Sequence, residues 1–164
     1  MKKIVIPVVA LLLAGVLFIS LPLYKRYRVG GFVREFNNIH MLSWSQLDPG
    51  YVRADTERGS FVLTSGNLHY ISGALTREAN MVYHFFRPKT ADLPQITLTF
   101  PDGAVITVAD GGADKNGRDV SYIICTYQGK TRAFSITGLG VYRRVCDCAS
   151  PEGFGEMGEN KPIE

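Results

Sequence analysis

The chain opens on twenty uncharged positions, Ile4 to Leu23, that offer no polar face. At about 1.5 Å per helical residue this stretch matches the roughly 30 Å hydrocarbon core of a bilayer, so it predicts one membrane-spanning helix. Pro7 and Pro22 stand near its two ends, where a missing backbone N–H costs little. The pattern changes after Gly31: Phe32, Val33, Phe36, Ile39 and Leu42 recur at helical spacing, which predicts a short amphipathic helix packed on the domain. Asp48-Pro49-Gly50 then reads as a turn.

From there the apolar residues come in short runs punctuated by turn formers. Phe61–Thr64, Leu68–Ile71 and Met81–Phe86 read as strands, the first two separated by the turn Ser65-Gly66-Asn67. The clearest local signal is Gln95–Phe100 and Ala104–Val108 around Pro101-Asp102-Gly103, because Ile96, Leu98 and Phe100 alternate with Thr97 and Thr99. Tyr122–Tyr127 and Thr131–Thr137 form a second predicted hairpin across Gln128-Gly129-Lys130, and Val141–Val145 a last strand after a bend at Gly138 and Gly140. Short connections force antiparallel pairing. The expected fold is mainly β (α+β): an N-terminal transmembrane helix, the short amphipathic helix, then a small antiparallel sheet, sandwich or barrel of about seven or eight strands.

Charge divides the chain into three. Residues 1–28 carry five basic and no acidic residues, residues 29–146 twelve basic and ten acidic, and residues 147–164 five acidic residues against Lys161. The basicity thus flanks the apolar segment, and the body lacks the excess that would track a phosphate backbone, which excludes nucleic acid as a partner. Residues 1–28 form the expected anchor, 29–148 the β-rich domain, and 149–164, rich in Gly, Pro and acid, a disordered tail. Tyr24 and Tyr27, set among Lys25, Arg26 and Arg28, suit the headgroup region. Residues 21–25 supply no small pair for signal cleavage, so the segment reads as a signal anchor, with Lys2 and Lys3 cytoplasmic and the domain outside, periplasmic or extracellular.

Chemistry-bearing motifs are sparse. Cys125, Cys146 and Cys148 lack the second ligand pair that a zinc site needs, and the expectation in an exported domain is one disulfide from Cys125 to Cys146 or Cys148. Asp110–Asp119 imitates a calcium loop, yet aligning Gly117 with the required glycine puts Gly112 and Ile123 where carboxylates belong. Gly31-Phe32 followed by Glu35 resembles a type IV prepilin processing junction, but it follows the apolar segment instead of preceding it. His40, His69 and His84 belong to no catalytic motif, and no metal or cofactor is implied. The expected function is a single-pass, membrane-anchored extracytoplasmic interaction module. It would contact lipid through residues 4–23 and another envelope protein through an aromatic surface including Trp44, Tyr83 and Phe85. The alternatives are a membrane-anchored hydrolase and a structural subunit of a membrane complex.

Overall fold

A computed structural model describes residues 2–46, 52–154 and 158–163, with side chains at 13–38 and from 52 onward within those ranges. The first element is a single helix, α1 (Lys2–Gln46), that carries both predicted helices without a break. Gly30 and Gly31 do not end it, and neither does Pro22, which removes only one intrahelical N–H donor. The described side chains change character along its length. Leu13, Val16, Leu17, Phe18, Ile19, Leu21 and Leu23 are exposed, whereas Val29, Phe32, Val33 and Phe36 are buried. Among the described residues no helix is long and apolar enough to cross a membrane. The expected span begins at Ile4, however, and its side chains before Leu13 lie outside the described residues, as do Asp48-Pro49-Gly50 and the side chains of His40 and Trp44.

The remaining elements are β1 (Arg53–Thr56), β2 (Gly59–Val62), α2 (Ser65–Leu75), β3 (Met81–His84), β4 (Gln95–Thr99), β5 (Val105–Ala113), β6 (Asp119–Tyr127), β7 (Lys130–Thr137), α3 (Val141–Cys148) and β8 (Lys161–Pro162). The strands make one open antiparallel sheet in the order β3-β7-β6-β5-β4-β1-β2-β8, so neither a barrel nor a sandwich forms. The β4–β5 and β6–β7 hairpins fall where the alternation put them. Gln128 and Gly129 both take positive φ (48° and 72°), the backbone that a two-residue hairpin turn requires. Thr126 and Thr131 share a hydroxyl hydrogen bond of 3.1 Å across the same pair of strands.

Two expected strands are helices. Leu68–Ile71 lies in α2, where Leu68, Ile71 and Leu75 meet the core at helical spacing, and Thr64 Oγ1 caps the helix by accepting from Asn67 N. Val141–Val145 lies in α3, whose buried Val141, Val145 and Cys148 also keep the helical period. Gly140, left-handed at φ 55°, turns the chain into α3. The first of these helices intervenes between β2 and β3, so β3 joins the opposite sheet edge, beside β7.

All three helices cover one face of the sheet. Phe32 lies 4.5 Å from Phe134 of β7, and Phe36 meets Phe100 edge-on at 5.9 Å, so α1 crosses the sheet from its β3 edge inward. Arg132 of β7 donates to Glu35 of α1, pinning the same crossing. The opposite face carries Thr97, Thr99, Thr107, Thr126 and Thr131, at the registers across from the buried set.

The tail departs from expectation. Asn160 is buried although the segment around it is polar. Its Nδ2 donates to the carbonyls of Cys148 (2.7 Å) and Ser150 (2.6 Å), while its Oδ1 accepts from Thr64 N and from Asn67 Nδ2, both at 3.1 Å. Asn67 Oδ1 in turn accepts from Phe154 N at 2.9 Å, and Phe154 stacks on Tyr70 at 4.5 Å. β8 then pairs with β2. Two buried amides therefore hold residues that hydropathy alone would leave loose.

Candidate functional site

At the sheet region farthest from where α1 enters, the β1–β2 turn, α3 and the start of the tail enclose a pocket of about 490 Å³. Thr56, Glu57 and Arg58 close one side, Tyr142, Cys146 and Asp147 of α3 another, and Glu152 and Phe154 the rim. The folding reason is local: Ser121 Oγ of β6 accepts from Tyr142 N at 2.9 Å and fixes the first turn of α3 against the sheet. With three carboxylates and one guanidinium among its lining, the pocket favours a cationic or polar guest over an anionic one.

Its reactive groups are quiescent. Burial, a hydrogen bond with the Cys146 thiol and that group's charge push the Tyr142 hydroxyl pKa upward. Burial likewise raises Cys146, and Asp147 adds to the rise, so at neutral pH the thiol stays protonated and is a poor nucleophile. The three cysteines are free. The disulfide expected from Cys125 to Cys146 or Cys148 is not formed: Cys125 lies on β6 toward Glu35 and Arg132, whereas Cys146 and Cys148 lie on α3, whose first turn is held by Ser121, four residues back along β6. Burial, with Glu35 adding, pushes the Cys125 thiol up to about 12, and burial with Asp147 does the same to Cys148.

The aromatic residues expected to form a free surface are instead spent in part on α1. Tyr83 packs against Phe134 and lies under the Arg28 guanidinium, 5.1 Å from the ring centroid. Phe85 stacks on Tyr24 at 5.8 Å and carries Lys25 Nζ over its face at 5.6 Å, yet stays half exposed. Trp44, the third member of that expected surface, has its side chain outside the described residues. His84 Nε2 shares a hydrogen bond with Ser135 Oγ at 2.9 Å, and burial followed by the Lys25 charge lowers its pKa. His69 is exposed on α2. The Asp110–Asp119 segment is an extended hairpin end in which Asp114 accepts from Asn116 N and Arg118 N and pairs with the Arg118 guanidinium. Among the described residues no group of three or more His, Cys, Asp or Glu side chains could hold a metal ion. Phe32 of the prepilin-like junction is buried inside α1.

No protein-family model, curated protein or solved structure matches the chain.

The pocket residues Arg58 and Tyr142 were not singled out by the sequence, because α3 reads locally as a strand. The available signal was the spacing of Val141, Val145 and Cys148, four and three residues apart.

Proposed function

We infer that this chain is a membrane-anchored display domain: the apolar half of α1 holds it in a bilayer, and the β-rich body offers the Tyr142–Glu152 pocket to another envelope protein. The observation that carries the reading is the continuity of α1, whose exposed apolar side chains at 13–23 run directly into core residues at 29–36. Seven large apolar side chains facing outward on one helix are costly in water, at about 1.5–3 kcal/mol each relative to burial, and lipid removes that cost. Counting along the sheet, β1 is five strands from β3, about 24 Å at the usual strand spacing, so the pocket stands well apart from the sheet edge that α1 meets first. Placing the domain outside the cytoplasm is the reading that a short basic tail, Lys2 and Lys3, ahead of a long apolar run supports, with Lys25, Arg26 and Arg28 on the far side weighing against it. The free thiols give that placement no further support.

An anchored hydrolase is the weaker reading. The pocket does hold a thiol, but Cys146 is raised and bonded to a raised tyrosine, with no histidine in the lining.

The test is site-specific photocrosslinking in native membranes. A crosslinker at Glu57 and another at Glu152 should yield the same protein adduct, and one at Thr99, on the uncovered sheet face, should not. Adducts that do not distinguish the pocket from Thr99 would overturn the assignment. Protease added to cells with a permeabilised outer barrier should digest the domain; protection would move it to the cytoplasm.

A further inference from the structure

We propose that the segment after β3, Phe85-Phe86-Arg87-Pro88-Lys89, is a second membrane contact that docks on the headgroups of an anionic bilayer. The proposal rests on the anchor reading above and extends it from the helix to the body of the domain.

The placement comes from α1. Tyr24 and Lys25 are the first residues after the apolar run, and both lie on Phe85, by stacking at 5.8 Å and by cation–π approach at 5.6 Å. The next residue out, Phe86, is 89% exposed, the most exposed of the large apolar side chains described. β3 runs toward this point along α1: Met81 lines a groove with Val29, Tyr83 meets Arg28 and Tyr24, and Phe85 beyond it meets Tyr24 and Lys25, so the strand descends along the helix toward its apolar half. The loop tip therefore stands at the level where a bilayer holding residues 4–23 would present its headgroups.

The chemistry agrees with that level. Two phenylalanines beside Arg87 and Lys89 combine an apolar wedge with cations, as interfacial segments do. Lys25, Arg26 and Arg34 of α1 extend the positive charge, with Glu78 the acid in the grooves they line, and Arg28 adds to it over the Tyr24 and Tyr83 rings. Anionic lipid attracts such cations within about 10 Å of its surface. The cations at this edge contrast with the three carboxylates of the distant pocket, so the two ends of the sheet are electrically unlike.

The full chain, reconstituted into phosphatidylcholine vesicles with or without phosphatidylglycerol, provides the test. F86W adds one fluorophore to the native Trp44, and the emission gained over the wild-type chain is challenged with lipids brominated near the headgroup. Quenching of that gained emission is expected, about twofold stronger with phosphatidylglycerol, and this difference between the two lipids should vanish when R87Q/K89Q is added to F86W. A companion L17W reports the anchor. Quenching of L17W without quenching of F86W would overturn this proposal and leave the anchor standing. Loss of both signals would overturn the anchor and the proposal together, and equal quenching in both lipids would overturn the assignment to anionic headgroups. Phe86 is largely exposed, so the substitution leaves the core intact.

Discussion

Replacing Asn160 with alanine tests whether two buried amides fold the tail. The substitution removes two donors to the Cys148 and Ser150 carbonyls and an acceptor for Thr64 N and Asn67 Nδ2. At about 1 kcal/mol net for each of four hydrogen bonds the loss approaches about 4 kcal/mol. A ceiling follows from the tail itself: once residues 150–163 let go, water satisfies the orphaned groups, and what remains lost is the β8 pairing and the Phe154–Tyr70 stack, the latter about 1 kcal/mol. The expected cost is therefore about 2–4 kcal/mol, a fall of about 1–2 M in the urea midpoint of the full chain in micelles, read by near-ultraviolet circular dichroism. N67A should act on the same unit, so the N67A/N160A double variant should cost at least about 1 kcal/mol less than the sum of the singles. Glutamyl endopeptidase should cleave after Glu152 far faster in N160A than in wild type. A midpoint shift below about 0.3 M, with additive singles and unchanged cleavage, would refute the argument and return the tail to disorder.

F32A and F36A should each lower stability by about 3–5 kcal/mol in the same urea assay, since both rings are fully buried between α1 and the sheet. G111A should cost about 1–3 kcal/mol, because its Cβ would stand 2.8 Å from the Tyr122 ring and 2.9 Å from the Val120 carbonyl; pairing it with Y122A should recover part of the loss by relieving the ring contact. Cys125, raised from 9.0 to about 12, favours its neutral form in the folded state, so its contribution is intact below pH 9 and is lost as pH rises toward 12; alkylation at pH 8 should reach it only after unfolding. His84 has the opposite profile: burial lowers its pKa, so stability falls as pH drops below about 6.5, and H84Q should flatten that acid limb of the stability–pH curve.

The parts of the fold legible in sequence are those fixed by near neighbours. Ile96, Leu98 and Phe100 alternate because the strand is half buried, and Asp102-Gly103 turns it, so that hairpin needs no distant partner to be recognised. α2 was harder because Ser65-Gly66-Asn67 is turn chemistry, and here it serves the first turn of a helix capped by Thr64. The length of α1 was hidden by Gly30-Gly31, which tertiary packing keeps helical; a Cβ at Gly30 would meet only Glu78, at 3.8 Å. The pocket and the tail were hidden for a deeper reason. Asn67 and Asn160 are ninety-three positions apart, and their burial is repaid by hydrogen bonds that no local pattern reports.

An unbroken α1 also makes the facing of the domain a matter of helical phase. Each residue turns the helix by about 100°, so one residue inserted upstream of Pro22, before the first contact with the body, would swing the whole sheet by about 100° around the helix axis and raise it about 1.5 Å. Seven inserted residues would bring it back to within about 20° while raising it by about 10 Å. For a domain held as proposed, the compass bearing of the pocket in the plane of the bilayer is thus written in the number of residues in the anchor, separately from its height. Only an insertion series that steps through both can tell which of the two a neighbouring protein reads.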